Sequence, residues 1–442
     1  MLSTATRALL SVLLAAIIAT PFATMSSTPR VAAAASAISA AELGIPESNM
    51  PPKLGASEIE AWVPETGHSV TGYMLDYWRA NGADSVYGNP ISQPYGASNQ
   101  LYSQAFERGV FQYSEVWLYS DDAAVRLAPI VKEDNARARS ERRSDGRRHG
   151  ADRRSSHIPA AINEVRANEV YNEGGRISSF TGYSISGAYA NWYDNHEGWF
   201  YMGPPISEPM RIRGVEGQIF ENGILLNQEG VITVAPLPRE HPERYGIDTT
   251  PVAQGTMPVY SESMFYTAYN PFGVDPTTIT GPKRIEVDRD TQTMRAYQGD
   301  VLVLESLIST GLSPNLTEIG FFHVRIKYAS QSMEGFTNAS GEVVAVGADA
   351  EQPEDGGEQY SVEDVPHVMY INYEAEALHG AYWHNNFGQP MSHGCINQPL
   401  DVAAFMFEFA PLGTPVTVTG EPRPEDEKKD EEALVPGTLA PR

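Results

Sequence analysis

The chain has 442 residues, enough for two or three domains with cores of their own. A formal charge of −25 argues against a nucleic-acid partner, because phosphate binding needs a cationic surface. Hydrophobic and aromatic fractions of 41% and 10% exclude wholesale disorder.

In chain order, the first segment reads as an export signal over residues 1–37. Arg7 supplies a thin positive start, Ala8 to Ala19 an apolar core, and Ala35-Ser36-Ala37 a small-residue cleavage site. An uncleaved anchor helix is the competing reading, but the run is shorter than the ~20 apolar residues a span needs. No later stretch is apolar enough, so no membrane span is expected after signal cleavage. The expected location is outside the cytoplasm: cell wall, periplasm or extracellular space. The chain has one cysteine, which cannot form an internal disulfide; an exported chain of this length either buries such a thiol inertly or uses it.

A linker over 38–65 leads to an internal repeat, unit 1 at 66–131 and unit 2 at 161–235. Thr66-Gly67 matches Thr181-Gly182, Tyr77 matches Trp192, and Gly88-x-Pro90-Ile91-Ser92 matches Gly203-x-Pro205-Ile206-Ser207. The match resumes, one residue slipped, as Gln104-x-Phe106-Glu107-x-Gly109 against Gln218-x-Phe220-Glu221-x-Gly223. Each unit reads as small α+β: a short helix carrying Tyr73, Tyr77 and Trp78, a Gly/Pro turn, then a hairpin at Arg108-Gly109 or Asn222-Gly223. The repeat aromatics read as small cores; stacking on sugar rings is the alternative.

Between the units, Lys132 to Arg154 holds nine basic and five acidic residues and almost nothing apolar. With 132–160 as its bounds, it reads as a flexible basic linker. A Pro/Tyr-rich connector (236–281) follows. The last folded region, 282–420, changes to period two: Ile285 and Val287, then Met294 and Ala296, a Gly299-Asp300 turn, and Val301 to Leu304 returning. Phe322, Val324, Ile326 and Tyr328 continue the alternation as one half-buried strand. Val402, Phe405, Met406 and Phe409 lie at helical spacing, with Gly413 expected to close the helix before a strand from Pro415. This region is therefore mainly β with one late helix. An acidic, Pro-rich tail (421–442) is expected to be disordered.

The chemistry concentrates between His379 and Asn397, where His379, His384 and His393 lie within 16 residues of Cys395. Thiol catalysis needs a thiolate, an imidazole to take its proton, and donors for a tetrahedral oxyanion. Cys395 is the candidate nucleophile, a histidine the base, and the amides of Gly394 and Cys395 the donors. A zinc site built from His379, His384, His393 and Cys395 is the competing reading, although the spacing fits no usual zinc pattern.

Ser392-His393-Gly394-Cys395-x-Asn397, with His379-Gly380 sixteen residues before the cysteine, resembles the YkuD-type L,D-transpeptidase signature. Ser309-Thr310-Gly311, Gly320-Phe321-Phe322, Asp364 to Tyr370 and Gly413-Thr414-Pro415-Val416 extend the resemblance over the last folded region. It implies a β-sandwich or barrel with Cys395 acylated, His379 as base, the Gly380 carbonyl orienting the imidazole, and His393 with Gly394 at the oxyanion side. Tyr370, Trp383, His384, Ser392 and Asn397 fall on the substrate side. It also implies peptidoglycan stem peptides as substrates and neither cofactor nor metal. Two departures stand out: Glu318-Ile319 where a proline commonly follows the threonine, and His367 where tryptophan is frequent. The expected reaction is cross-linking through a thioester. An L,D-carboxypeptidase using the same site, and a non-catalytic wall-binding protein, are the alternatives.

Overall fold

The computed structural model describes residues 59–97, 101–114, 124–144, 170, 175–266, 273–347, 350–354, 356–424 and 426. The export signal, most of the first linker and most of the tail lie outside them. Contacts divide the chain into Met1–Ser39 and Ala40–Arg442, and every described residue belongs to the second unit.

The segment 59–131 opens with a hairpin of β1 (Glu60–Val63) and β2 (His68–Thr71), followed by helices Gly72–Ala80 and Ala83–Val86. Strands β3 (Tyr95–Ala97), β4 (Leu101–Phe106), β5 (Gly109–Ser114) and β6 (Val125–Leu127) then form an antiparallel meander. The segment 175–235 has the same order: β7 (Arg176–Ile177), β8 (Ser184–Ile185), helices Gly187–Asn195 and Gly198–Tyr201, then β9 (Met210–Ile212), β10 (Val215–Ile219), β11 (Ile224–Gln228) and β12 (Val231–Val234). Internal hydrogen bonds recur between the two. Gln104 Nε2 donates to the Ser69 and Ser92 carbonyls, and Gln218 Nε2 to those of Ser184 and Ser207. Tyr77, Trp78, Tyr189, Trp192 and Tyr193 are buried, so most repeat aromatics pack inward; Phe180 and Trp199 are exposed.

The basic run differs from the expected flexible linker at its start. Ile130–Ser144 is a helix, and its first turns are held from outside. The Lys132 amide donates to the Glu221 carbonyl, and Asp134 accepts from Arg244 Nε and the Tyr245 hydroxyl. Those anchors come from distant residues, which local composition cannot reveal. The rest of the run lies outside the described residues.

From residue 282 the chain builds two five-stranded sheets. The first, ordered β15-β14-β13-β22-β16, uses β13 (Lys283–Asp288), β14 (Thr293–Gln298), β15 (Val301–Leu307), β16 (Gly320–His323) and β22 (Pro415–Thr419). The second, ordered β18-β17-β19-β20-β21, uses β17 (Ile326–Thr337), β18 (Val343–Val346), β19 (Gln359–Tyr370), β20 (Ala377–Gly380) and β21 (Ile396–Gln398). Neither sheet closes, so the sandwich expectation holds and the barrel does not. Alternation makes the interior: Ile285, Val287, Met294 and Ala296 of the first sheet share a core with Met369, Leu378 and Ile396 of the second. Helix Leu400–Phe409 adds Val402, Phe405, Met406 and Phe409 to that core.

Two local expectations are corrected. Phe322 to Tyr328 is not one strand: β16 ends at His323 and β17 begins at Ile326, in different sheets. At the crossing Val324, fully buried, donates to the Thr414 carbonyl and Arg325 to that of Tyr370, so the ladder partner changes at that point. The late helix ends at Phe409, before Pro411, because proline cannot continue it. Gly413 instead turns the chain into β22 at φ 85°, where a Cβ would fall 2.6 Å from the Tyr77 ring. That contact seats the helix Gly72–Ala80 on the sandwich. Beside it, Glu262 accepts from both Arg79 and Lys283, two cations 4% and 1% exposed.

Candidate active site

Pairing places the chemistry. β20 and β21 run parallel, with Leu378 opposite Ile396 and His379 opposite Asn397. Opposed residues in a ladder share a face, so Leu378 and Ile396 enter the sandwich core while His379 and Asn397 face outward. Cys395, two residues before Asn397, lies on that outer face. There it packs with Tyr328, Met333, Val362 and Tyr370 against Val365, Val368 and Ala377. One side of one sheet edge thus carries both thiol and imidazole.

The loop before β21 is held by the segment after β15. Thr310 accepts from the amides of Met391 and Ser392, Ser309 exchanges backbone bonds with Asn397, and Leu312 donates to Ser392. Within the loop, the Ser392 hydroxyl donates to the Cys395 carbonyl and accepts from the Gly394 amide. Thr317 Oγ1 donates to the Gly394 carbonyl at 2.6 Å. Gly394 has φ 121°, a conformation that favours glycine, and a Cβ there would lie 3.3 Å from a Glu376 oxygen.

His379 is 2% exposed, and its Nδ1 lies 3.1 Å from the Gly380 carbonyl. Because a carbonyl only accepts, Nδ1 carries the proton and Nε2 is the free base. Burial depresses the imidazole to a pKa of about 4, so it is neutral at neutral pH. Burial pushes the Cys395 thiol up to about 12; the Ala377 amide opposes this and the Glu376 carboxylate adds to it. The resting pair is therefore thiol and imidazole rather than an ion pair. Alkylation of Cys395 by iodoacetamide is expected to be slow at pH 7. It should rise about tenfold per pH unit through pH 10, because a raised pKa delays thiolate formation. A plateau reached below pH 8 would show a preformed thiolate instead.

The remaining expected residues take varied places. Trp383 is exposed, with its ring centre 5.8 Å from that of His379, and Tyr370 lines the cluster around the thiol. His384 accepts from the Asn386 amide at Nδ1, and its Nε2 meets the Asn397 side-chain amide at 2.9 Å. His393 is exposed and stacks on Tyr360 at 5.3 Å. Ser392 is buried and braces the loop internally, with its hydroxyl turned to backbone. Gly394 donates to Ser392, so that amide is already engaged. Among the described residues no three His, Cys, Asp or Glu side chains converge as a metal site, and the zinc reading gains no support.

Sequence reading missed Tyr360 and Glu376. Burial and then the nearby Cys395 push Tyr360 up to about 12. Glu376 is 4% exposed, and its two oxygens each accept from the Glu318 amide at 3.1 Å. Asn372 Nδ2 bridges Glu376 and Glu318. A proline at 318 would have no N–H to give, so this departure is what permits the bond. His367, the other departure, sits at φ 57° with its ring 5.4 Å from Phe407, away from the thiol's contacts.

The structure thus sets a thiol and an imidazole on one face at the edge of a two-layer β-sandwich. Residues 282–418 match the model of the YkuD family, described as the L,D-transpeptidase catalytic domain. No curated protein matches the chain. Similar solved structures include an LD transpeptidase, LdtMt1, in complex with imipenem (21% identity, 31% of this chain and 58% of that one, TM-score 0.24). Another is an L,D-transpeptidase from Mycobacterium smegmatis (18% identity, 45% and 66%, TM-score 0.25). A third is the catalytic domain of the E. faecium L,D-transpeptidase (28% identity, 31% and 96%, TM-score 0.25). The chain thus spans 58% and 66% of the first two, and at these TM-scores the likenesses carry no structural argument.

Proposed function

We propose that the chain is an exported peptidoglycan L,D-transpeptidase with Cys395 as nucleophile and His379 as general base. The observation that carries this reading is the parallel pairing of β20 with β21, with the Gly380 carbonyl fixing the histidine's tautomer. The YkuD match over 282–418 supports the reaction class.

In the first step His379 Nε2 takes the thiol proton as Sγ attacks the carbonyl preceding the terminal D-residue of a stem peptide. The oxyanion collapses to a thioester, and the D-residue leaves with the proton held by His379. In the second step an amine from a neighbouring stem attacks the thioester, His379 takes its proton, and the thiol is regenerated as the new amide forms. A neutral resting pair suits this order, since the imidazole is unprotonated when substrate arrives. The first repeat, seated on the sandwich through Tyr77 and through Arg79 on the connector's Glu262, would with the second present the site to the polymer, with wall glycan as their partner.

The test uses a disaccharide tetrapeptide, alone and with an amine acceptor. The wild-type chain should release the terminal D-amino acid and form cross-linked dimer, and Cys395→Ala should do neither. Release without dimer would replace cross-linking by trimming, and absence of release from the wild type would overturn the assignment.

A further inference from the structure

We infer that Asp426, beyond the last strand, is a positioning residue for the Cys395 loop, acting through Arg289 and Thr317. This rests on the reading of Cys395 as nucleophile.

After β22 the chain turns back over the β13–β14 turn, where the Glu421 amide donates to the Asp290 carboxylate at 2.6 Å. Asp426 then meets Arg289 in a bidentate pair, 2.7 Å at each oxygen, with side chains 17% and 1% exposed. A buried guanidinium held in this way is fixed in direction as well as neutralised. Its Nη1 also donates to the Thr317 carbonyl at 2.8 Å, and its Nη2 to the Glu421 carbonyl.

From Arg289 two branches lead to the nucleophile loop. In the first, Thr317, fully buried, accepts from the Gly311 amide at Oγ1 and donates to the Gly394 carbonyl, one residue before Cys395. In the second, Gln292 Nε2 donates to the Arg289 carbonyl and to Thr310 Oγ1, and Gln292 Oε1 accepts from the Thr310 amide. The Thr310 carbonyl holds the Ser392 amide. Gly394, one residue before Cys395, is thereby tied through Thr317 to a guanidinium whose carboxylate partner lies in the C-terminal segment, and Ser392 is tied through Thr310 and Gln292 to the backbone of the same arginine. A simple counter-ion would need only to neutralise Arg289; the shared Nη1, donating to Asp426 and Thr317 at once, couples the carboxylate to the loop.

The experiment measures acylation of Cys395 by a carbapenem in the full chain, with amide hydrogen exchange over 392–396 as a readout independent of catalysis. Asp426→Ala should lower the limiting acylation rate about 10- to 100-fold, with its concentration dependence unchanged, and speed exchange in the loop. Arg289→Met, which removes cation and clamp together, should do the same, and adding Asp426→Ala to it should change nothing more. If Asp426 serves only as a counter-ion, Arg289→Met and the double variant acylate at the wild-type rate, which overturns the proposal. Should Asp426→Ala fail to fold, the double variant, lacking a buried unpaired charge, decides. If the wild type is not acylated, the nucleophile assignment fails separately. Exchange then decides: unchanged protection at 392–396 in the variants overturns the clamp, and faster exchange supports it.

Discussion

Replacing His379 with alanine is expected to slow acylation of Cys395 by stem tetrapeptide by about 10²- to 10⁴-fold, the usual contribution of a positioned general base. The effect should sit at the large end because the thiol, pushed up to about 12, does not ionise unaided near neutral pH. The Gly380 carbonyl occupies Nδ1, so only Nε2 can take the proton. The measurement is the single-turnover rate of adduct formation by mass spectrometry across pH 5–10. In the variant the residual rate should climb with pH as free thiolate appears. In the wild type the acid limb should lie below pH 5, because burial holds the imidazole near 4. A variant that acylates within threefold of wild type would remove His379 from the chemistry.

The second large effect concerns stability. Glu262→Ala should cost about 3–5 kcal/mol, because Arg79 and Lys283, buried at the seam between repeat and sandwich, lose their shared acceptor. A loss of that size should lower the melting temperature by roughly 10 °C. Glu305→Ala, which removes the exposed partner of Arg295, should shift stability by less than about 0.5 kcal/mol. The two cations hold the Glu262 carboxyl well below the usual carboxylate range despite its burial. Since its folded pKa is depressed, its contribution is full above the unfolded value near 4.3 and is lost only as pH falls toward the folded one. Thermal melts of both variants at pH 7 check the contrast; equal, small shifts would mean that the buried cluster does not secure the seam.

Legibility followed the range of the interactions. Alternation at Ile285, Val287, Met294 and Ala296 is a period-two signal that a few consecutive residues carry, and the sheets follow it. His379-Gly380 and Ser392 to Asn397 were legible because their spacing is local, and one register then sets them on a common face. The break between His323 and Ile326 was not legible, since the alternation continues through Val324 while the ladder partner changes. The helix Ile130–Ser144 looked like a linker because its anchors, Glu221 and Arg244, lie far along the chain. Tyr360 and Glu376 were missed for a related reason. Tyr360 reaches the site only through the long β17–β19 pairing, and Glu376 through a bond to the backbone of Glu318. Asp426 stood in an acidic stretch whose composition gives no hint of a buried guanidinium 137 residues away.

The most direct measurement is the intact mass of the full chain after incubation with a carbapenem, followed by peptide mapping. The account predicts one adduct of the antibiotic's mass, located on Cys395 and absent from Cys395→Ala. An adduct elsewhere, or none under conditions where stem tetrapeptide is also left untouched, would contradict it.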